Sequence, residues 1–254
     1  MWTKDVLDLN PRPVVTTKQI GRGKHKIVIV DDFYKHPEQV LEMALSLHYF
    51  GGGGAHGNYP GDRAYVSLDT GPLMEALGKA WGEPAETFGP FPYQPVTFSR
   101  IQNRADTVLN FGQRQPHVDP GVTCMVYLNK PEDCSGGTGI YRHKLTGLER
   151  LPMEVNEDLM ILAAQHGYHP AKLQEPDGLK AFEEAMILNP LFVVRENRYV
   201  DDGNEFWELI CLVKMRFNRM VMFDGRMPHS MHLDLTKFRE TPRVNQIVYL
   251  KGHD

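Results

Sequence analysis

The chain has 254 residues, 41% of them hydrophobic, and a formal net charge of −4. That apolar share supports one folded domain and excludes a disordered chain, while the acidic balance excludes a broad basic track for nucleic acid or an anionic membrane. The longest apolar runs, Ile27–Val30 and Leu209–Val213, fall far short of the ~20 residues of a membrane-spanning helix, and Met1-Trp2-Thr3-Lys4-Asp5 does not open a signal peptide.

Residues 26–31 read as a buried strand ending in an Asp-Asp turn. His36-Pro37-Glu38 opens a helix with Val40, Leu41, Ala44, Leu45 and His48 on one face. The glycine run 51–54 reads as a loop, and Tyr59-Pro60-Gly61 as a tight turn in which Pro presets φ and Gly tolerates a positive one. A second helix covers 72–82. From residue 94 onward short segments bounded by Gly, Pro, Asn and Asp predict strands at 95–102, 106–111, 115–119, 122–129, 137–142, 192–200, 206–214, 219–223 and 243–250. Residues 156–188 break this pattern with helical spacing at Leu159, Leu162 and Ala163, then Leu179, Phe182, Ala185 and Met186. The predicted organisation is a mainly β domain over 1–254. Residues 1–93 form an N-terminal flank of helix and strand, 94–144 and 191–254 the β core, and 145–190 a helical insertion that bounds the mouth of the site without supplying a ligand. Cys124, Cys134 and Cys211 form no CxxC pair and are expected to be buried, inert thiols of a cytoplasmic protein.

The chemistry concentrates in two places. Gln115-Pro116-His117-Val118-Asp119-Pro120-Gly121 contains H-x-D, and on a strand residues i and i+2 share a face, so the imidazole of His117 and the carboxylate of Asp119 can converge on one ion. Far downstream, the run Arg219 to Asp224 ends in Asp-Gly and is followed by Pro228-His229-Ser230, which puts His229 just past a tight turn. Two histidines and one carboxylate leave coordination positions open, the ligand set of non-haem iron(II) oxygenases. His232 is the competitor for the second histidine, and the Pro-His-Ser context favours His229.

Between and after these places stand Val122–Asn129, an apolar strand ending in Tyr127-Leu128-Asn129, then Gly136-Gly137, and then the strand opened by Arg243. In that order the motifs resemble the iron(II)/2-oxoglutarate dioxygenases, in particular their prolyl-hydroxylase-like branch, over residues 115–250. The N-terminal third, with its Asp-Asp-Phe-Tyr, Gly-rich and Tyr-Pro-Gly-Asp-Arg stretches, resembles a bacterial subgroup of that superfamily. The resemblance implies a double-stranded β-helix (a jelly roll), iron(II) on His117, Asp119 and His229, 2-oxoglutarate as co-substrate and dioxygen as oxidant. It also implies a basic residue for the far carboxylate of 2-oxoglutarate. Arg243, at the start of a strand, is preferred to Arg239, which sits in a solvated loop. Tyr127 is a further candidate to hydrogen-bond the co-substrate.

Tyr59 and Arg63, after the Gly-rich loop, are candidates to close over an anionic substrate, and Arg142 is a candidate substrate contact. Its neighbour His143 is expected in an exposed polar cluster. The expected reaction is hydroxylation of a small molecule, an amino acid or a peptide side chain, with a homodimer left open. Two other classes fit the same ligands: a zinc- or manganese-dependent hydrolase or lyase on a similar barrel, and a non-catalytic binding β-sandwich.

Overall fold

The computed structural model describes residues 4–51, 61–66, 71–84, 87, 96–189 and 195–250. A hairpin comes first: β1 (Val14–Ile20) and β2 (His25–Asp31) pair antiparallel along their whole length. Helix α1 (Pro37–Ser46) starts on a proline, whose fixed φ and missing N–H suit the first helical position. It buries Val40, Leu41, Met43 and Ala44, while Leu45, expected on the apolar face, is exposed. β3 (Asp62–Tyr65), α2 (Gly71–Trp81) and β4 (Thr97–Ile101) follow. Then come β5 (Val122–Tyr127) and β6 (Gly137–His143), the insertion helices α3 (Glu157–Gln165) and α4 (Gly178–Met186), and β7 (Trp207–Lys214), β8 (Arg219–Asp224), β9 (His229–His232) and β10 (Arg243–Leu250).

The strands form two antiparallel sheets. The seven-stranded one runs β1-β2-β8-β5-β10-β4-β3 and the three-stranded one β7-β6-β9. From β5 onward the chain passes back and forth between them, so strands distant in sequence become neighbours.

Alternation along the strands sorts the core into layers. Val28 and Val30 of β2, Cys124 and Val126 of β5 and Met222 of β8 face outward, where α1 and α2 cover them. Ile27, Ile29, Met125, Tyr127, Val221 and Phe223 face inward against Ile140 and Val213 of the small sheet. β5 is therefore buried on both faces and reads as an unbroken apolar run. On the far side of the small sheet, Tyr141 and Trp207 pack against Leu159, Ala163 and Phe182 of the insertion.

Several expectations are corrected. Residues 106–111 hold no strand; Phe111–Gln113 is a short 3-10 helix closed by a reciprocal cap between Asn110 and Gln113. Residues 115–119 form only an isolated bridge between His117 and His229, because Pro116 and Pro120 cannot donate to a ladder. Residues 195–200, the described part of the predicted strand 192–200, are irregular. Of the thiols only Cys124 is buried; Cys134 and Cys211 are partly exposed. Among the described residues no helix is long and apolar enough to cross a membrane.

Candidate metal centre

His117 and His229 exchange two backbone hydrogen bonds of 2.9 Å, which locks the two histidine-bearing segments side by side. Next to them the Asp119 N–H donates to the Gly225 carbonyl at 2.8 Å, and the Gly225 N–H to the Gly121 carbonyl at 2.7 Å. Gly225 is required there: a Cβ would lie 2.5 Å from the Asp119 carbonyl oxygen. These backbone ties bring the three side chains together. The ligating atoms of His117, Asp119 and His229 lie within 4.8 Å of one another, a group that could hold a metal ion. Nε2 of His229 is 3.2 Å from Oδ2 of Asp119, and Nε2 of His117 is 4.0 Å from it. The Thr123 hydroxyl reaches the same carboxylate oxygen at 3.5 Å, and the Phe223 ring meets His229 edge to face at 4.7 Å.

The protonation pattern follows from the geometry. Nδ1 of His229 is 2.8 Å from the Met227 carbonyl, which can only accept, so this nitrogen carries a proton. In the neutral ring Nε2 then offers a lone pair, and it points at a carboxylate oxygen. Two acceptors at hydrogen-bond distance need a proton or a cation between them. Burial, with the neighbouring His229 charge, lowers His117 to about 4, leaving it neutral and able to donate a lone pair at neutral pH. Burial alone would raise Asp119; the His229 hydrogen bond and, in the acid range where the carboxyl titrates, the positive charges of His117, His229 and Arg63 overcome it and hold the carboxyl at about 2.

The triad lines a narrow cavity of about 60 Å³ whose other walls include Arg63, Gln113, Met125, Thr138, Met231, Arg243 and Asn245. Arg243 is only 1% exposed. One of its terminal nitrogens donates to the Gly137 carbonyl at 3.3 Å, the Tyr127 ring stands 5.8 Å away, and its Nε has no hydrogen-bond partner among the described residues. Burial lowers its pKa.

The other sequence candidates separate. Arg63 is brought to the cavity on β3, with its backbone N–H and carbonyl both bonded to Phe50. Tyr127 stands behind the cavity wall; its hydroxyl is 2.6 Å from Thr138 Oγ1 and close to the Val213 carbonyl. Arg142 is corrected: it is not among the cavity-lining residues, because its guanidinium is used by Glu149 and Glu208. Tyr59 lies outside the described residues. Arg239 is exposed, and His232 turns to Asp202 at 2.9 Å. His143, expected exposed, is fully buried against Trp207, with Nδ1 3.0 Å from Thr146 Oγ1. No described residue of the insertion lines the metal cavity. The insertion instead walls a separate cleft of about 770 Å³ through Arg150, Asp177, Lys180 and Glu183, facing Pro120, Gly121 and Arg226.

The sequence matches a family of unknown function (DUF6445) over residues 11–186. The chain belongs to this family. The DUF6445 match includes His117 and Asp119 and ends before His229 and Arg243. No curated protein matches the chain. Among solved structures it is similar to the non-heme alpha-ketoglutarate-dependent carbocyclase SnoK from nogalamycin biosynthesis, at 10% identity and a TM-score of 0.40, over 89% of this chain and 79% of that one. It is also similar to HygX from Streptomyces hygroscopicus with iron bound, at 14% identity and a TM-score of 0.36, over 89% of this chain and 82% of that one. A second HygX structure, with nickel, 2-oxoglutarate and hygromycin B, gives 14% identity and a TM-score of 0.37 over the same shares.

Proposed function

We propose that this chain is an iron(II)- and 2-oxoglutarate-dependent oxygenase that hydroxylates a small molecule, an amino acid or a peptide side chain. The reading includes its fold, a double-stranded β-helix with the candidate ligands at one end, which the passage of β5 to β10 between two antiparallel sheets supports. The observation that carries the proposal is that Arg243 shares a cavity with the His-Asp-His group. The group alone suits zinc, manganese or iron. A buried guanidinium whose Nε has no hydrogen-bond partner among the described residues calls for an anion, and its planar fork matches a carboxylate.

Iron(II), bound with 2-oxoglutarate, would supply oxidation of a C–H bond by dioxygen as the 2-oxo acid loses carbon dioxide. The protein's own residues do the placing. His117, Asp119 and His229 would hold the ion, and three protein ligands would leave room on it for small ligands. Arg243 takes the far carboxylate of the co-substrate, and Thr138 stands beside it, oriented by Tyr127 from behind. Met125 and Met231 line the cavity, and with about 60 Å³ enclosed, a five-carbon diacid enters as these adaptable side chains move. Arg63, a second cation at the cavity, is assigned to an anionic group of the substrate.

Anaerobic titration with iron(II) and 2-oxoglutarate tests the reading. A weak visible charge-transfer band should appear only when both are present, and vanish in Asp119→Ala. Iron binding without the band would favour the zinc- or manganese-dependent hydrolase or lyase. No metal binding at all would leave a binding sandwich.

A further inference from the structure

The turn Asp224-Gly225-Arg226-Met227 is a junction between the candidate ligands and the insertion. On one side it grips the ligands: the Gly225 carbonyl takes the Asp119 N–H, and the Met227 carbonyl takes Nδ1 of His229 at 2.8 Å. On the other side the insertion grips the turn. Arg226 forms an ion pair with Glu183 of α4 and donates to the Pro152 and Leu151 carbonyls. The Leu151 N–H donates back to the Arg226 carbonyl at 2.9 Å, and Arg150 pairs with Asp224. No described residue of the insertion lines the metal cavity, yet one hydrogen-bonded turn separates it from two of the three ligands.

We infer that the Glu183–Arg226 pair is a latch through which the docked insertion positions Asp119 and His229. Arg226 and Glu183 are positioning residues: neither lines the metal cavity, and both act through the turn. Both side chains are partly buried, 24% and 11% exposed, and removing one takes from the other its ion-pair partner. The turn would then relax, and the Asp119 carbonyl, Gly225 and Met227 would move with it. The pair also borders the 770 Å³ cleft, so the latch stands where solvent and solutes reach it. The inference rests on the metal reading for its effect on ion affinity, but the positional effect is independent of it.

The experiment uses the full chain and two readouts. Hydrogen exchange of the metal-free protein, followed by NMR, reports the Asp119 and Gly225 amides. Calorimetric titration with manganese(II), at a temperature where every variant is folded, reports affinity. Arg226→Met should speed exchange at both amides and weaken manganese binding about 10- to 100-fold, the range for removing support behind metal ligands. Arg226→Lys should restore part of each. Glu183→Gln should act in the same direction, and it is the deciding variant if Arg226→Met does not fold. The control is Glu149→Gln, which breaks a different anchor of the insertion, the contact of Glu149 with Arg142 and with the Arg22 and Gly23 N–H groups. It should lower the melting temperature and leave both readouts unchanged. The latch is overturned if Arg226→Met and Glu183→Gln leave exchange at the two amides unaltered, or if Glu149→Gln moves it equally. Unaltered protein that binds no manganese(II) or iron(II) would sink the oxygenase reading instead, and the exchange data would still decide the latch.

Discussion

His229 commits one ring nitrogen to a backbone carbonyl and turns the other toward a carboxylate, and Arg243 lies buried with a nitrogen to spare. These two residues carry most of the functional argument, and Arg243 is the sharper test. Arg243→Met keeps much of the apolar stem and removes the fork. It should weaken 2-oxoglutarate binding by roughly 1.5–3 kcal/mol, the scale of a hydrogen bond to a charged group. Iron affinity should stay nearly unchanged, and Arg239→Ala, on an exposed loop, should change neither. Calorimetry on the metal-loaded protein measures all three, and the opposite ranking of the two arginines would move the role to Arg239. That His117, Asp119 and His229 come together was legible because H-x-D and Pro-His-Ser are local patterns with a geometric meaning. The fate of Arg142 was not, because its partners Glu149 and Glu208 are set by the fold rather than by adjacent residues. His143 was misread for the same reason: amid Tyr-Arg-His-Lys it looks solvated, yet Trp207 covers it from a strand far along the chain.

At the scale of elements, close approach between turns matters as much as the strands. Replacing Gly225 with Ala should force the Asp119 and Gly121 carbonyls away, since its Cβ would stand 2.5 Å and 2.8 Å from them. Metal affinity should fall about ten-fold or more, measured beside the melting temperature so that unfolding is not mistaken for it. A second test concerns the joint between β2 and β8. Arg219 hydrogen-bonds Asp31 through two nitrogens, at 2.7 Å and 2.9 Å, and lowers its pKa. Because the folded value is depressed, the stabilisation is present above the unfolded pKa near 4 and is lost as pH falls through the lower folded one. Arg219→Met should therefore cost about 1–3 kcal/mol at pH 7, and less at pH 3, in urea unfolding at the two pH values. An equal cost at both would mean that the guanidinium stem, not the charge pair, is what counts. The sequence displayed elements with strong periodicity or unbroken apolar runs: β2, β5, β8, β10 and the described helices α1 to α4. It hid β1, whose residues are mostly exposed, and β9, a short strand with a histidine at each end. Spurious strands arose at 106–111, where Asn110 caps a 3-10 helix instead, and at 115–119, where Pro116 cannot donate to a ladder.

Across the whole molecule, the insertion is a structural layer rather than an appendage. Its helices cover Tyr141 and Trp207 of the small sheet with Leu159, Phe182 and Leu173. Replacing 152–189 by a Gly-Ser linker should bare these aromatics and also release the 224–227 turn. The product should aggregate or bind a hydrophobic dye, and lose metal affinity along with any turnover. A compact, monomeric, metal-binding product by gel filtration and calorimetry would refute this.

The order of strands in the large sheet also governs how the chain is made. β10, made after every other described strand, lies in the middle of that sheet between β5 and β4, and β2 waits for β8. Of the six strand pairings in that sheet, two wait for β8 and two more for β10, since loop closure across the chain must come before they contribute. A nascent chain halted before Arg243 would have its two halves unjoined and β5 bare along one edge, an invitation to pair with a neighbour on the same polysome. Synthesis of β10 is therefore the event that joins β5 to β4 and closes the large sheet, and β5 needs shielding until then.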